Sequence, residues 1–255
     1  MNTLTPHSVS VITGGGRGIG RAVALRMALE TAVIVVGRIE ADLLSACAEI
    51  AAAGGQAVHV VGDVRDRETA QRAVALARAK GWTVRNLVCN AGIGKSGPFE
   101  TFDPTLWQEI LDVNLNGAFH FCQACLPEML ADGGTICLMS SIAGLKGYAH
   151  DAAYDASKHA LVGLARSLAQ EFGKRGISVV PICPGFVEGH MTERTVRGVM
   201  TRRGMTHEEA TARVAHANPQ RRIIPEAEIA EAVAFVCSGK VPLLSGNPLV
   251  LSGGE

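Results

Sequence analysis

Short runs of apolar, largely β-branched residues recur along the chain, separated by longer stretches with helical periodicity. Several of these runs are apolar throughout, which is typical of strands buried on both faces of a parallel sheet. The runs predict strands at Val9–Ile12, Ala32–Val36, Ala57–Val61, Leu87–Cys89, Thr135–Met139, Ile177–Ile182 and Leu249–Leu251. The intervening stretches predict helices at Arg21–Glu30, Asp42–Ala53, Arg67–Lys80, Thr105–Leu130, Tyr154–Gly173 and Glu226–Ser238.

Strand and helix patterns alternate from one end of the chain to the other, and this alternation predicts an α/β fold. The expected architecture is a single Rossmann-like, doubly wound parallel β-sheet with helices on both faces. No linker, repeat or low-complexity segment interrupts the pattern, so residues 1–255 are predicted to form one domain. Residues 188–222 have no strand pattern, and we interpret them as an insertion of two helices with the length of a substrate lid.

Charge and cysteine content limit the classes of function. The formal net charge is zero, whereas a nucleic-acid-binding protein usually shows a basic bias. Seven cysteines without the spacing of a disulfide framework indicate reduced thiols in a cytoplasmic protein. Cys122 and Cys125 form a C-x-x-C pair, which we interpret as two small residues on one helix face, and no metal site is predicted. We expect no membrane partner, because no apolar stretch approaches the ~20 residues of a membrane span and no signal peptide is recognisable.

The glycine-rich segment "TGGGRGIG", Thr13–Gly20, directly follows the first predicted strand and precedes the first predicted helix. Glycines allow the backbone to turn sharply and to approach a diphosphate, which a helix N-terminus binds through its free N–H groups and its dipole. Gly14, Gly18 and Gly20 have the spacing G-x-x-x-G-x-G, which differs from the G-x-G-x-x-G fingerprint. Their position at the first strand–helix junction nevertheless predicts a dinucleotide-binding turn.

The residue after the second strand is expected to distinguish the two nicotinamide dinucleotides. In dinucleotide-binding folds an acidic residue there binds the ribose 2′-hydroxyl, whereas an arginine admits a 2′-phosphate. Gly37 takes the place of the acid and Arg38 follows it. This favours NADP(H) over NAD(H), because the guanidinium group suits phosphate. Arg17 would add a second positive charge; the alternative is that Arg38 is a solvated loop residue.

Tyr154 and Lys158 are four residues apart in a predicted helix and therefore project from the same face. A free tyrosine has a pKa of about 10 and is a poor proton donor or acceptor at neutral pH. A neighbouring ammonium group favours the phenolate, so we expect Lys158 to lower the pKa of Tyr154. The spacing predicts that Tyr154 acts as a general acid/base.

Taken together, the motifs resemble those of the short-chain dehydrogenase/reductase family over nearly the whole chain. Besides the glycine turn and "YDASK" at 154–158, the chain has "GDV" at 62–64, "NAG" at 90–92, "VNLNG" at 113–117, "SS" at 140–141 and "PG" at 184–185. Each motif alone is ordinary, but their order along the chain is specific. The segments "CPGF" and "NPQRR" are also similar to those of reductases that act on 3-oxoacyl thioesters, a less specific likeness.

The resemblance implies a catalytic set of Asn114, Ser141, Tyr154 and Lys158. Ser141 is chosen over Ser140, which we interpret as structural, because Ser141 lies thirteen residues before Tyr154, the spacing that the family shows. In this set Ser141 polarises the substrate oxygen, Lys158 also holds the nicotinamide ribose, and Asn114 orders a water that relays protons. An aspartate is expected at the adenine ring, and the full set of implied cofactor contacts is Gly14, Arg17, Gly18, Ile19, Gly20, Arg38, Asp63, Val64, Asn90, Ala91, Gly92, Tyr154, Lys158, Pro184 and Val187.

One position departs from the family pattern. Family members often carry a threonine that bonds the nicotinamide carboxamide, and Gly189 stands at the aligned position here. Thr192 lies close but is displaced, and the backbone of Val187 would still reach the carboxamide. The departure concerns how the nicotinamide is anchored and leaves the resemblance intact.

The predicted activity is the NAD(P)(H)-dependent interconversion of a secondary alcohol and a ketone, with a 3-oxoacyl or 3-hydroxyacyl thioester as one candidate substrate. Residues 188–222 hold more arginines than glutamates, so they would either steer an anionic substrate or form a solvated helical hairpin. A second hypothesis is a dehydrogenase of a cyclic alcohol, steroid or polyol that uses NAD(H). A third is a nucleotide-binding regulatory protein without turnover. Because the family often forms tetramers, a homotetramer is expected.

Overall fold

The structure, a computed structural model, describes residues 7–255. Within that range the strands are β1 (Ser8–Thr13), β2 (Ala32–Gly37), β3 (Ala57–Val61), β4 (Thr83–Cys89), β5 (Gly134–Met139), β6 (Ile177–Pro184) and β7 (Leu249–Leu251). All seven strands belong to one sheet, in the order β3-β2-β1-β4-β5-β6-β7, and every neighbouring pair is parallel. The predicted doubly wound parallel sheet is therefore confirmed.

Helices cover both faces of this sheet. They are α1 (Gly18–Met27), α2 (Glu40–Ala52), α3 (Arg67–Ala79), α4 (Pro104–Leu111), α5 (Gly117–Met129), α6 (Ala152–Phe172), α7 (His190–Arg203), α8 (His207–Ala215) and α9 (Glu226–Cys237). Successive residues of β1 belong to different apolar layers: Val11 packs with α3, α5 and α6, and Ile12 packs with α1, α2 and α9. Both faces of the strand are covered, which explains why its apolar run is continuous. None of the helices in residues 7–255 combines the length and apolarity needed to cross a membrane.

The strand β4 is longer than the predicted Leu87–Cys89, because it begins at Thr83. Its first half contains Arg85 and Asn86, two polar residues that are nevertheless buried. The Arg85 guanidinium donates to the carbonyl of Asp132, and the Asn86 amide is 3.1 Å from the hydroxyl of Ser10 on the neighbouring strand. The apolar pattern in the sequence therefore missed the first half of this central strand, because its polar side chains are buried with hydrogen-bond partners.

The predicted helix Thr105–Leu130 is divided into α4 and α5 by a π-helical turn at Asp112–Asn116. Such a turn widens the helix by one residue and is frequent at functional sites. It contains Asn114, whose side chain is buried. A single wide turn hardly changes the spacing of the apolar residues, so the sequence predicted one continuous helix.

The segment between β6 and β7 contains the two helices expected from its lack of a strand pattern, α7 and α8. The turn between them includes Gly204, at φ +63°, and α8 begins with a capping box. In this box the Thr206 hydroxyl accepts from the Glu209 N–H, and the Glu209 carboxylate accepts from the Thr206 N–H. Val196 and Val214 join the two helices through a small apolar cluster of their own.

Candidate active site

The residues predicted to form the site lie at the carboxyl edge of the sheet. β1 ends at Thr13 beside the glycine turn, β4 ends one residue before Asn90, β5 ends one residue before Ser140, and β6 ends at Pro184. The chain proceeds from β1 toward β3 in one direction and from β4 toward β7 in the other. The crevice between β1 and β4 is therefore the topological switch point, where open α/β sheets bind their ligands.

The glycine turn has the close backbone approaches that a diphosphate cradle requires. Gly14 and Gly18 have φ values of +67° and +60°, a region that favours glycine. A Cβ at Gly20 would lie 2.2 Å from the carbonyl oxygen of Gly14, so the helix α1 starts in direct contact with the turn. The first N–H groups of a helix have no partner within it and are available to an anion. The turn thus fits a dinucleotide diphosphate.

The "NAG" segment supports this turn from the neighbouring strand. The backbone N–H groups of Asn90 and Ala91 donate to the Thr13 hydroxyl at 2.9 and 3.0 Å, and the Asn90 amide donates to the Thr13 carbonyl at 3.1 Å. Gly92 faces the other half of the site, because a Cβ there would lie 3.3 Å from Asn114 Oδ1 and 3.5 Å from Lys158 Nζ. The segment therefore joins the glycine turn to the predicted catalytic residues.

Replacing Gly20 by alanine should damage both stability and nucleotide binding. The added methyl group would meet the backbone of Gly14 and the Asn90 amide at 2.5 Å or less. We expect a loss of about 2–3 kcal/mol and a fall in Tm of roughly 5–10 °C. The same change at Gly173, where φ is helical and no atom lies within 4 Å, is the matched control and should leave Tm unchanged or higher. Thermal unfolding of the two variants tests this; equal Tm values would contradict it.

Two arginines flank Asp63 at the expected adenosine end of the site. Asp63 accepts from the backbone N–H, Nε and Nη2 of Arg65 at 3.0, 3.1 and 2.8 Å, and Arg38 Nη1 lies 3.9 Å from Asp63 Oδ2. These contacts hold the pKa of the Asp63 carboxyl below its usual value, and the hydrogen bonds from Arg65 contribute most to this shift. Arg65 was missed in the sequence, where its only signal was its place directly after "GDV". Val64 is buried against Gly117, whose Cβ would lie 2.8 Å from it.

The structure brings together the four residues of the implied catalytic set. The side chain of Ser141 lies close enough to the phenol of Tyr154 to lower the pKa of that phenol. Lys158 Nζ lies 5.4 Å from the centroid of the Tyr154 ring and donates to the carbonyl of Met139 at 2.7 Å. Asn114 lies beside them in the π-helical turn. A phenol, a hydroxyl and an ammonium group therefore lie close together at the sheet edge.

The expectation that Lys158 lowers the pKa of Tyr154 is wrong for this structure. Burial, the nearby Ser141 side chain and the carboxylates of Asp151 and Asp155 together set the pKa of Tyr154 at about 12, with burial and the carboxylates raising it and Ser141 lowering it. Burial also lowers the pKa of Lys158, to about 8. Desolvation disfavours the charged form of each group, and Lys158 is not among the groups that shift the pKa of Tyr154.

Hydrogen bonds outside the set fix the positions of its members. Asn114 Oδ1 accepts from the Ile93 N–H at 2.8 Å, and Asn114 Nδ2 donates to the Ile93 carbonyl and to the Ser157 hydroxyl, both at 2.9 Å. Ser157 in turn donates to the Tyr154 carbonyl at 2.7 Å. The Ser140 hydroxyl donates to the Lys158 carbonyl at 2.8 Å, which supports its interpretation as a structural serine. Ser157 had no assigned role in the sequence, although it lies within "YDASK".

The insertion approaches these catalytic residues through the first turns of α7. A Cβ at Gly94 would lie 3.0 Å from the Tyr154 ring and 3.1 Å from the Met191 methyl group, and Arg194 donates to the Gly94 carbonyl. Thr192 is buried and donates to the carbonyl of Val187. This bond directs the Thr192 hydroxyl toward the backbone. The Val187 N–H has no backbone hydrogen-bond partner within residues 7–255.

Comparisons with known proteins agree with these features. A family model described as short chain dehydrogenase matches residues 8–199. Oxidoreductase UcpA of Escherichia coli K12 is 33% identical over 248 residues, covering 96% of this chain and 93% of its own. A 3beta-hydroxysteroid dehydrogenase of Mediterraneibacter gnavus is 36% identical over 198 residues, covering 77% and 72%. A crystal structure of an actinorhodin polyketide ketoreductase variant with NADPH has a TM-score of 0.92 and 30% identity, covering 96% of both chains.

Proposed function

This chain belongs to the short-chain dehydrogenase family, and on that premise we propose that it is an NADP(H)-dependent oxidoreductase interconverting a secondary alcohol and a ketone. The observation that carries the proposal is that the Tyr154 phenol lies beside Ser141 and the Lys158 ammonium, at the same sheet edge as the glycine turn. The similar ketoreductase structure holds NADPH, and Arg38 after β2 favours the phosphorylated cofactor here as well.

Each side chain has a defined task in ketone reduction. Tyr154 donates its phenolic proton to the substrate oxygen, and Ser141 donates a hydrogen bond to the same oxygen and so stabilises the developing negative charge. When bound, the cofactor supplies the hydride. Lys158, fixed by the Met139 carbonyl, is placed to hold the nicotinamide ribose and to return a proton to Tyr154. Both amide hydrogens of Asn114 are bound to protein, so Asn114 keeps only acceptor capacity for a water.

The two directions of the reaction should respond oppositely to pH. Reduction requires a protonated Tyr154, which a pKa of about 12 maintains, and a protonated Lys158, which is lost as pH rises through about 8. Oxidation requires the phenolate, whose population grows about tenfold per pH unit below the pKa. We therefore expect kcat/KM for reduction to fall above pH 8 or so, and kcat/KM for oxidation to rise from about pH 7 to about pH 10. An oxidation rate independent of pH would contradict Tyr154 as the base.

The substrate class has two candidates. The similarity to a 3beta-hydroxysteroid dehydrogenase favours an uncharged cyclic or steroid alcohol. An acyl thioester is favoured by the basic residues of the insertion, although Arg197 pairs with Glu193 at 2.8 Å and Arg222 pairs with Glu228 at 2.7 Å. These ion pairs reduce the positive charge available to steer an anion.

The experiment that tests the proposed function is consumption of NADPH and of NADH, followed by absorbance, with acetoacetyl-CoA, a cyclic ketone and a steroid ketone. Turnover of any ketone with NADPH preferred supports the reaction and the role of Arg38. Fast turnover of the thioester identifies it as the better candidate substrate, whereas preference for an uncharged ketone assigns the insertion arginines to the solvated surface. Cofactor binding without turnover of any ketone would favour a regulatory nucleotide-binding protein.

A further inference from the structure

The carboxyl group of Glu226 lies between the glycine turn and the start of the insertion. Glu226 is the first residue of α9, and its Oε1 is 3.6 Å from the Cβ position of Gly18 in the turn. The same oxygen is 3.1 Å from the Cβ position of Gly189, the residue that precedes α7. Gly189 has φ +123° and stands where the resembling family often has threonine. The carboxyl group thus occupies space that a side chain at position 189 would need.

A cavity of about 360 Å³ opens at this point. Gly18 borders it on the side of the glycine turn, Gly189 and Thr192 border it on the side of the insertion, and Glu226 lies between them. The cavity therefore connects the predicted diphosphate cradle with the first turn of α7. A group bound at Gly18 would meet the Glu226 carboxyl directly.

We propose that Glu226 is a cofactor-binding residue: its neutral carboxyl donates a hydrogen bond to the dinucleotide diphosphate, and its ionised form opposes binding. The proposal rests on the proposed function, because it requires a dinucleotide at the glycine turn. A carboxylic acid donating to a phosphate oxygen forms a strong charge-assisted bond. A carboxylate at the same place would add a negative charge beside a diphosphate, with no proton to share.

The charged groups around Glu226 leave its carboxyl without an ion pair among the described residues. On its own helix, Glu228 is bound by Arg222 and Glu231 by Arg26. Glu188, His190 and Glu193 of the insertion border the same cavity, and Glu193 binds Arg197 and His207. The helix α7 also carries Arg194, Arg202 and Arg203. On the side of the glycine turn lie Arg17, and Arg21, which pairs with Glu49. Burial and the charge of Glu188 raise the pKa of Glu226, and His190 lowers it only in part.

The sign of the pH effect follows from these charges. The pKa of Glu226 in the free protein lies above its usual 4.5, and a diphosphate beside it would raise that pKa further. Binding would therefore take up a proton in the interval between the two pKa values. Above the free-protein pKa, the Kd for the dinucleotide should rise with pH, by up to about tenfold per unit.

The test is a fluorescence titration of NADPH binding from about pH 6 to about pH 8.5, with calorimetry in two buffers to count proton uptake. NADH is titrated in parallel, because it lacks the titrating 2′-phosphate. In the parent protein we expect the Kd for both dinucleotides to rise with pH, with proton uptake on binding. Glu226→Gln keeps a donor that cannot ionise, so its Kd should stay within about twofold and its proton uptake should disappear.

Two further variants keep the outcome interpretable. Glu231→Gln removes a carboxylate of the same helix that binds Arg26 instead of facing the turn, and it should keep the parent pH profile. Glu226→Ala should bind weakly at low pH and without pH dependence, and it replaces Glu226→Gln if that variant does not fold. A parent-like pH profile in the Glu226 variant would overturn the proposal. Absence of dinucleotide binding in the parent protein at every pH would instead overturn the proposed function, and this inference with it.

Discussion

Tyr154→Phe is expected to lower kcat for ketone reduction by about 10³-fold while the Kd for NADPH changes by less than about twofold. The substitution removes a single oxygen atom, the phenolic oxygen beside Ser141. A factor of 10³ corresponds to about 4 kcal/mol of transition-state stabilisation, which is in the range of a positioned general acid. The ring itself, and with it the contact with Gly94, is retained. We expect the variant to consume almost no NADPH in the activity assay, while a fluorescence titration still shows that it binds NADPH.

The second tyrosine of the chain is the matched control. The sequence contains two tyrosines, and Tyr148 lies in the loop before α6 with its hydroxyl donating to the Glu255 carboxylate at 2.7 Å. Tyr148→Phe is chemically the same substitution, but it leaves the Tyr154 phenol and the neighbouring Ser141 in place. Its kcat should stay within about threefold of the parent value. If Tyr154→Phe keeps a tenth of the parent rate, another group donates the proton.

The raised pKa of Tyr154 determines which proton transfer this residue can carry out at neutral pH. With a pKa of about 12, Tyr154 keeps its proton at neutral pH, so the protonated form that reduction requires is populated, although the phenol is then a weak acid. Lys158 has the opposite shift, and its ammonium group is held by the Met139 carbonyl rather than by a carboxylate. The sequence suggested a lysine that acts by lowering the pKa of its neighbour. The structure instead favours a lysine whose own proton is easily lost, as a relay requires.

Local sequence was sufficient for most of the fold. β3 and β7 have the predicted bounds, and the glycine-rich segment leads from the end of β1 into the first turn of α1. These features depend on residues close together in the chain: an apolar run, a cluster of glycines, or two side chains one helical turn apart. The parallel sheet then brings the ends of β1, β4 and β5 to one edge, which is why motifs far apart in the sequence could be assigned to one site.

Contacts between residues that are far apart in the chain could not be predicted from the sequence. Glu226 lies 37 positions after Gly189 in the chain, yet its carboxyl occupies the space next to that glycine. Asn114 contacts the Ile93 backbone through a π-helical turn that leaves no periodic signal. The competition between desolvation and charge at Tyr154 also depends on three-dimensional burial. Spacing alone indicated which groups are neighbours, but not which physical effect prevails between them.

Arg38→Asp should change the cofactor preference from NADPH to NADH. The Arg38 side chain is 58% exposed and its only ion pair within the described residues is a loose one of 3.9 Å to Asp63, so its guanidinium is free to bind a 2′-phosphate. Losing one or two charge-assisted hydrogen bonds and adding a repelling carboxylate should lower kcat/KM for NADPH by about 100-fold. An aspartate can instead bind the ribose 2′-hydroxyl of NADH, for which kcat/KM should rise several-fold.

A control variant and a variant of Arg65 show how this result should be interpreted. Arg175→Asp makes the same change of charge just before β6, at the opposite edge of the sheet, and should leave the ratio of kcat/KM values unchanged at fixed ionic strength. If Arg38→Asp also leaves that ratio unchanged, Arg38 is a solvated charge. Arg65 would then be the remaining candidate, since it is bound to Asp63 on the same side of the site. Arg65→Ala should affect both cofactors alike if Arg65 only holds Asp63 in place, and NADPH alone if it contacts the 2′-phosphate.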